Sequence, residues 1–406
     1  MEMKAHTVRL SDRINKLAES ETLAMTRRSR ELACQGHKVI NLSIGQPDFD
    51  TPVFIKDAAK EGLDQGYTSY PPVPGYADLR EAICQKFRRD NGLIYRPEQI
   101  VVSTGAKQSL ANVILSLINP GDEVLLPAPY WVSYIELVKL AEGKAVCIQG
   151  KLVNDFKVTP EEVEAAITPR TRLFLFSSPC NPTGSVYTRE ELRGLAEVFK
   201  RHEQVYIISD EIYELINFVG KHESMASFED IYDRVITING VSKGFAMTGW
   251  RLGYMAAARE IAQACDKIQG QFTSAASSVS QRAALKAVSV DPAETREIID
   301  MREEFRARRD LLMELVKDIP GMISYQPQGA FYLFPDITHY YGKSVHGQRI
   351  ENSTDLCMYL LNTVYVALVP GDAFGNPDCI RLSYATSRAQ LREAVDRIGN
   401  ALADLK

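Results

Sequence analysis

Residues 205–257 read VYIISDEIYELINFVGKHESMASFEDIYDRVITINGVSKGFAMTGWRLGYMAA. This stretch contains three short runs rich in valine, isoleucine and other apolar residues, at 205–209, 235–239 and 252–257. Such runs, bounded by turn-forming residues, are typical of buried strands. Four more precede them, with helix-period segments between, at 100–103, 123–126, 144–149 and 173–177. The alternation predicts an α/β protein with a mainly parallel seven-stranded sheet.

The pattern changes from about Asp291 onward. A long charged helix is predicted over 294–317, then a strand over 331–334, then a further alternation of strand and helix. This part predicts a second, smaller α+β domain. With 406 residues, two domains are also what chain length favours.

Composition excludes several classes of function. The chain has 47 Lys+Arg against 52 Asp+Glu, a net charge of −5, and no dense basic run, which argues against a nucleic-acid partner. Its seven cysteines are scattered without a Cys-x-x-Cys pair, so we expect reduced thiols rather than disulfides or a metal site. No apolar segment suits a signal peptide or a bilayer span. We therefore expect a cytoplasmic protein without a membrane partner.

Ligands of open α/β sheets bind beyond the carboxyl ends of the strands, so functional residues are expected there. The run at 100–103 is followed by Thr-Gly-Ala-Lys-Gln (104–108) and a helix predicted over 109–118, where free backbone N–H groups could bind an anion. The run at 173–177 is followed by Ser-Pro-Cys-Asn-Pro-Thr-Gly (178–184), a rigid turn around Asn181. Taken singly, both segments also fit plain turns.

Two further strand ends carry ionisable residues. Asp210, followed by Tyr213, comes after 205–209; a carboxylate there needs a partner, although a helix N-cap is an alternative. Lys243 follows 235–239 among small and apolar residues, with Arg251 eight residues on. Desolvation lowers the pKa of such a lysine toward the value that a Schiff-base amine needs, whereas a lone lysine is more often a surface residue.

Together these strand ends offer an anion cradle, a fixed amide, a carboxylate with a nearby phenol, and a lysine with an arginine. A phosphorylated aromatic aldehyde with a protonated ring nitrogen would use all of them. Pyridoxal 5′-phosphate is such a molecule, and its chemistry requires an enzyme lysine and a partner for the pyridinium nitrogen.

The sequence resembles the class I aminotransferases, which are fold type I pyridoxal-phosphate enzymes, and among them the bacterial aspartate/prephenate aminotransferase branch. The matching segments cover nearly the whole chain; they are 41–52, 67–70, 129–134, 181–184, 210–213, 242–251 and 381–387. We accordingly assign residues 1–45 and 319–406 to the smaller domain and residues 46–318 to the large cofactor domain.

The resemblance implies roles in cofactor binding. Lys243 would hold the cofactor covalently and move a proton between the substrate α-carbon and cofactor C4′, and Asp210 would keep the pyridinium nitrogen protonated. The other residues implied to contact the cofactor are Tyr213 and Asn181 at the phenolic oxygen, Trp131 on the ring face, Ser242 beside the lysine, and Arg251, Gly105, Ala106 and Lys107 at the phosphate. Gly240 departs from relatives that carry a serine there, so one phosphate contact is missing or replaced.

The resemblance also implies a substrate site. Arg381 would bind the α-carboxylate, with Gly45, Asn181 and Trp131 nearby, and Lys107 would bind the distal carboxylate of a dicarboxylic substrate. Tyr70 would reach the phosphate in a neighbouring subunit of a homodimer. Trp131 could instead be core packing, Gly45 a turn, Tyr70 an apolar dimer contact and Lys107 only a phosphate ligand.

The N-terminal segment is implied to close over the same pocket. We expect the residues around Ser20 and Thr22 to cover it. Ala18 stands where some relatives carry a basic residue associated with prephenate, which lowers the expectation of that activity. His202, His222 and His339 match nothing in this pattern, and we expect them to be surface or capping residues.

The function implied is amino-group exchange between L-aspartate, or a related dicarboxylic or aromatic amino acid, and 2-oxoglutarate by a ping-pong mechanism. Alternatives on the same scaffold are another aminotransferase (prephenate, aromatic or alanine) and a β-elimination lyase. A non-enzymatic cofactor-binding regulator is disfavoured, because no helix-turn-helix or basic domain precedes the fold.

Overall fold

The computed structural model describes residues 9–18, 21–345 and 347–406. Seven strands form the main sheet in the order β2-β8-β7-β6-β5-β3-β4. They are β2 (Ile100–Ser103), β3 (Glu123–Ala128), β4 (Lys144–Gln149), β5 (Thr171–Ser177), β6 (Tyr206–Asp210), β7 (Val235–Gly240) and β8 (Gly253–Ala256). β8 pairs in antiparallel fashion with β2 and β7, and the other four pairings are parallel. The predicted α/β fold class with its mainly parallel seven-stranded sheet is confirmed.

The strands form where predicted because both faces of this sheet are covered. Along β5, Phe174 and Phe176 pack into the core on one face, and Leu173 and Leu175 pack into the core on the other. A strand buried on both sides reads as a continuous apolar run, which is the pattern found in the sequence. One difference matters for the site: β6 ends at Asp210 itself, so this carboxylate is the last residue of the strand.

Thirteen α-helices lie in the described part of the chain. They are α1 (Asp12–Asn15), α2 (Glu21–Cys34), α3 (Val53–Asp64), α4 (Ala77–Lys86), α5 (Ala106–Leu117), α6 (Ser133–Leu140), α7 (Pro160–Ala166), α8 (Arg189–Arg201), α9 (Arg259–Phe272), α10 (Ser278–Ser289), α11 (Arg296–Lys317), α12 (Ser353–Val364) and α13 (Arg388–Ala403). A π-helical turn, Phe87–Asn91, continues α4. None of these helices is both long and apolar enough to cross a membrane.

Two helix starts show how local sequence sets a boundary. α8 begins at a capping box, in which Thr188 and Glu191 exchange hydrogen bonds. α5 begins at Ala106, three residues before the predicted start. Gly105, with φ at +83°, turns the chain so that the helix starts directly after the sheet edge.

A smaller region is built from both ends of the described chain. β1 (Ile40–Asn41) pairs in parallel with β12 (Val366–Ala367), and an antiparallel sheet has the order β13-β14-β9. The remaining strands are β9 (Tyr332–Leu333), β10 (Ser344–Val345), β11 (Gln348–Arg349), β13 (Val369–Pro370) and β14 (Ile380–Ser383). A separate apolar core includes Leu32, Phe305 and Leu360.

The division at residues 45 and 318 stays a prediction. α11 contributes to both apolar cores, because Ile298 packs with the main sheet and Phe305 packs with the smaller region.

The prediction that His202, His222 and His339 are surface or capping residues is partly wrong. His202 ends α8 and His339 is exposed, as expected, but His222 is only 8% exposed. The His222 ring is surrounded by the carboxylates of Glu211 and Glu214 rather than by solvent.

Candidate active site

A cavity of about 550 Å³ opens at the carboxyl ends of the parallel strands. The register of the sheet brings several strand ends together, since Ser177 at the end of β5 pairs with Asp210 at the end of β6. Segments from the smaller region close the other side. Of the residues predicted for the site, eleven line this cavity: Gly45, Ala106, Lys107, Trp131, Asn181, Asp210, Tyr213, Ser242, Lys243, Arg251 and Arg381.

Asp210 lies at the base of the cavity and is 4% exposed. The Tyr134 hydroxyl donates a hydrogen bond to Oδ2 at 2.7 Å, and the Ile212 backbone N–H donates to Oδ1 at 3.3 Å. Residues 212–215 form a turn rather than an α-helix, so Asp210 is not a helix N-cap. Burial raises the pKa of Asp210 to about 6, against the lowering effect of the Tyr134 hydrogen bond. A cationic partner in the cavity would stabilise the carboxylate.

Lys243 reaches into the same cavity from the loop after β7. Its Nζ donates a hydrogen bond to the carbonyl of Gly45 at 2.5 Å. Burial, together with the neighbouring charges of Arg381 and Arg251, lowers the pKa of Lys243 to about 7. The amine is therefore available as a nucleophile or a base near neutral pH.

Arg381 is the largest fully buried side chain described, with 2% exposure. Its Nη1 donates to Asn181 Oδ1 at 2.8 Å, and its Nη2 donates to the Ser43 carbonyl at 2.6 Å. Its guanidinium also lies 4.5 Å from the centre of the Tyr332 ring. Its Nε has no hydrogen-bond partner in the described structure. A guanidinium held in one plane with donor capacity to spare suits bidentate binding of a carboxylate.

Tyr213 completes the base of the cavity. It is 4% exposed, and its hydroxyl lies 2.8 Å from the hydroxyl of Tyr332. Burial raises its pKa well above the usual value, so it is a neutral phenol that can donate a hydrogen bond to an anionic oxygen.

The opposite end of the cavity is built for an anion. A Cβ on Gly105 would collide with the guanidinium of Arg251, so only glycine allows this approach. Arg251 also donates to the Thr248 carbonyl at 3.0 Å. The N-terminus of α5 begins beside them at Ala106, where unpaired backbone N–H groups favour a phosphate. Of the four residues predicted at the phosphate of the chain's own site, Ala106, Lys107 and Arg251 line the cavity and Gly105 does not.

Gly240 has a structural reason to depart from serine. A Cβ there would lie 2.9 Å from Gly253 Cα and 3.0 Å from the Leu252 carbonyl oxygen, because β7 and β8 approach closely at this point. A Cβ on Gly253 would in turn collide with the backbone of Ala106.

The rim of the cavity carries Lys107 and Trp131. The Lys107 ammonium lies 4.9 Å from the centre of the indole ring, within cation–π range. Burial lowers the pKa of Lys107, and the charge of Arg251 adds to this effect. Tyr70 does not line the cavity of its own chain, and its side chain is 98% exposed.

Sequence reasoning missed several cavity residues. Tyr134 lies in the first turn of α6, three residues after Trp131, and this closeness in sequence could have drawn attention to it. Thr26 and Arg30, which both lie in α2, gave no local signal. Neither did Tyr332 of the small strand β9, which does not line the cavity but contacts Tyr213 and Arg381 beside it. Ser20 and the Thr22 side chain lie outside the described part of the structure.

The cavity fits pyridoxal phosphate in size and charge. Its described lining has one acidic side chain, Asp210, and five basic ones, Arg30, Lys107, Lys243, Arg251 and Arg381. This excess of positive charge suits a phosphate together with a carboxylate. The lysine amine, the buried carboxylate and the phenol lie at one end and the anion cradle at the other.

Fold and site together define a pyridoxal-phosphate-dependent transferase of fold type I. The chain belongs to the aminotransferase class I and II family, whose model matches residues 37–398.

Relatives agree over nearly the full length. An aspartate/prephenate aminotransferase of Cereibacter sphaeroides is 48% identical, over 96% of this chain and 97% of its own. The aspartate aminotransferase of Rhizobium meliloti superposes with a TM-score of 0.94 at 41% identity, covering 98% of this chain and 100% of that one. The Thermus thermophilus aspartate aminotransferase with maleate gives a TM-score of 0.91 at 39% identity, covering 97% and 100%.

Proposed function

We propose that this aminotransferase exchanges the amino group between L-aspartate and 2-oxoglutarate by a ping-pong mechanism. The observation that carries the proposal is the charge of the cavity, with five basic side chains and one carboxylate in the described lining. A phosphate carries about −1.5 to −2 charges at neutral pH, and a dicarboxylic substrate carries two carboxylates. An uncharged side chain such as that of alanine would leave part of this positive charge uncompensated.

Pyridoxal phosphate, when bound, withdraws electrons from the α-carbon of an attached amino acid. Asp210 supports this by pairing with the protonated ring nitrogen, and Tyr134 orients its carboxylate through the 2.7 Å hydrogen bond. Tyr213 and Asn181 donate hydrogen bonds to the phenolic oxygen. Lys243 would hold the cofactor through its amine and, once released, would move a proton between the substrate α-carbon and cofactor C4′. A pKa near 7 allows the Lys243 amine both to accept and to donate a proton at neutral pH.

Arg381 binds the α-carboxylate of the substrate in this proposal. In the structure its two Nη atoms donate to Asn181 and to the Ser43 carbonyl. These contacts hold the fork in the orientation that a carboxylate needs, which reduces the entropy cost of binding. Gly45 and Trp131 border the same space.

Lys107 binds the distal carboxylate. It lies beside Trp131 at the rim, where an ammonium can meet a second negative charge. The Thermus thermophilus relative is named with maleate, a dicarboxylate, which supports this assignment. The Cereibacter sphaeroides relative is named for prephenate as well as aspartate, so prephenate stays an alternative amino acceptor.

The assembly we propose is a cytoplasmic homodimer with shared active sites. The side chain of Tyr70, 98% exposed and outside its own cavity, is free to contact the phosphate end of a partner's site. Residues 46–318 form the cofactor domain, and residues 1–45 and 319–406 form the domain that closes on it.

The test is a panel of amino acids added singly to the holoenzyme while the cofactor absorption is followed. Aspartate and glutamate should convert the cofactor to its aminated form at lower concentrations than alanine, phenylalanine or arogenate, and 2-oxoglutarate should reverse the change. Release of a keto acid without consumption of a keto-acid acceptor would indicate a β-elimination lyase instead. A preference for uncharged side chains would contradict the proposal.

A further inference from the structure

Four charged side chains are buried behind the base of the cavity, and none of them lines it. We name Lys86, Glu211, Glu214 and His222 the buried quartet; their exposures are 4%, 0%, 7% and 8%. Three of them lie on the segment that follows β6 and carries Tyr213. The fourth, Lys86, ends α4. The quartet therefore ties the segment between Asp210 and Tyr213 to a helix of the main domain.

One half of the quartet is an ammonium–carboxylate pair. The Nζ of Lys86 contacts Oε1 of Glu214 directly. The side-chain amide of Asn91 donates to the other oxygen of Glu214 at 3.1 Å. Asp90 lies 3.7 Å from Lys86, but its carboxylate is paired more closely with Arg89, at 2.6 Å. Lys86 is therefore balanced by Glu214.

The other half is built around Glu211. Its Oε1 accepts hydrogen bonds from Ser209 at 2.9 Å and from Ser224 at 2.7 Å. Its Oε2 lies 3.0 Å from Nε2 of His222. One carboxylate oxygen of Glu211, one of Glu214 and an imidazole nitrogen of His222 all lie within 4.8 Å of one another, so the imidazole faces both carboxylates.

A proton on His222 balances the charge of this group. Two carboxylates and one ammonium leave one negative charge without solvent or a counterion, which is costly in a buried position. An imidazolium cancels that charge. Burial and Lys86 oppose protonation of His222, but the carboxylates of Glu211 and Glu214 outweigh them and raise its pKa. A divalent cation could serve the same purpose only by displacing the ammonium already in contact with Glu214.

The quartet can influence the reaction because Glu211 is the immediate sequence neighbour of Asp210. Neighbouring residues of an extended chain point to opposite sides, so Asp210 faces the cavity and Glu211 faces His222. Besides burial, the negative charge of Glu211 contributes to the raised pKa of Asp210, whereas Tyr134 and Lys243 lower it. The charge on Glu211 thus works against the ionised form of Asp210 unless it is compensated.

We propose that His222 is a positioning residue whose imidazolium neutralises Glu211 and thereby keeps Asp210 ionised opposite the cofactor ring. This inference rests on the role proposed above for Asp210. It also assigns a purpose to the buried histidine itself, which touches neither substrate nor cofactor.

The protonation state of His222 can be measured by NMR on holoenzyme labelled at histidine side chains. The signal that disappears in His222→Gln should be that of an imidazolium at pH 7.5 and should not change on treatment with EDTA. His202→Gln is the matched control, because His202 pairs with Glu164 at 2.7 Å on the surface, away from the site. A neutral imidazole at pH 7.5, or a signal that moves with EDTA, would overturn the inference.

A second test measures how kcat/KM depends on pH. In His222→Gln its acid limb should move to higher pH by about half a unit or more, as expected when one compensating charge is lost. Adding Glu211→Gln should move it back, and His202→Gln should leave it in place. Ser224→Ala, a milder change at Glu211, should produce a smaller shift in the same direction. An unmoved limb in both His222→Gln and Ser224→Ala would overturn the inference.

The two proposals can fail separately. If Asp210→Ala remained fully active, the role of Asp210 would be wrong, while the NMR result would still decide the charge of His222.

Discussion

The base and the rim of the active-site cavity differ in how they are held. At the base, Arg381, Asp210, Tyr213 and Asn181 are 2%, 4%, 4% and 7% exposed, and each has a hydrogen bond or close polar contact within the protein. Toward the cavity opening, Lys107 at the rim and Arg251 of the anion cradle are much more exposed, although the Lys107 ammonium is partly desolvated. The polar groups at the base are thus oriented before any ligand arrives, whereas those at the rim gain much of their order from the ligand's own charges.

This difference separates chemistry from recognition. Preorganised polar groups stabilise charge that develops during reaction without having to reorient. Exposed cations contribute to binding strength and to selection among substrates, and solvent screens them. We therefore expect substitutions at the base to lower turnover and substitutions at the rim to change affinity.

The largest effect is expected at Lys243. Lys243→Ala removes both the anchoring amine and the proton carrier, so activity should fall by more than about 10⁴-fold, the upper end for general acid–base catalysis alone. Borohydride should trap the cofactor on wild-type protein but not on the variant, as read by mass spectrometry. Lys151→Ala, an exposed lysine outside the cavity, is the control. Ordinary turnover in Lys243→Ala would refute the assignment.

Asp210 should follow. Asp210→Ala should lower kcat by roughly 10²–10⁴-fold, because it removes the pairing with the ring nitrogen, while bound cofactor falls much less because the phosphate contacts persist. Activity and cofactor content measured on the same sample separate the two effects. Asp230→Ala is the control, since Asp230 forms a surface pair with Lys200. Near-normal activity in Asp210→Ala would show that Asp210 has only a structural role.

Lys107 tests whether the rim selects the substrate. Lys107→Ala should raise KM for aspartate and 2-oxoglutarate about tenfold, the loss of one charge-assisted hydrogen bond. KM for alanine or phenylalanine should change little. Steady-state kinetics with all four compounds measure the difference. Equal losses for charged and uncharged side chains would instead assign Lys107 to the phosphate.

The smallest effect is expected at Tyr70. Tyr70→Phe removes one hydroxyl, so the Kd for the cofactor should rise about threefold to tenfold, within the range of a single hydrogen bond. Fluorescence titration of the apoenzyme measures it, and sedimentation reports whether the sample is a dimer. Tyr232→Phe is the control, because its hydroxyl binds the Ile94 carbonyl far from the cavity. Unchanged affinity in a dimeric sample would contradict the shared site.

The sequence predicted the sheet well because its signal is local. Each strand is an apolar run bounded by turns, and for the run at 235–239 the observed strand Val235–Gly240 differs by one residue. The cavity could be placed from the same pattern, since carboxyl ends of parallel strands share one edge. The lysine, the carboxylate and the two arginines were found in this way and from the family resemblance.

What the sequence could not provide are contacts between distant segments. The hydrogen bond between Tyr134 and Asp210 spans 76 positions, and the contact between Tyr213 and Tyr332 spans 119. No periodicity encodes such pairs. His222 was misassigned to the surface for the same reason, because its carboxylate partners become visible only once the segment after β6 folds back on itself.

The stacked glycines beside the anion cradle restrict the mutational paths open to this chain. Gly240 faces Gly253, and Gly253 faces the backbone of Ala106, so three main-chain segments are in contact without an intervening side chain. A serine introduced at position 240 would push β8 toward the start of α5 and displace the N–H groups that receive the phosphate. The hydroxyl that some relatives have could therefore be acquired only after another substitution had opened space, which makes the order of changes, and not only their sum, decisive for this lineage.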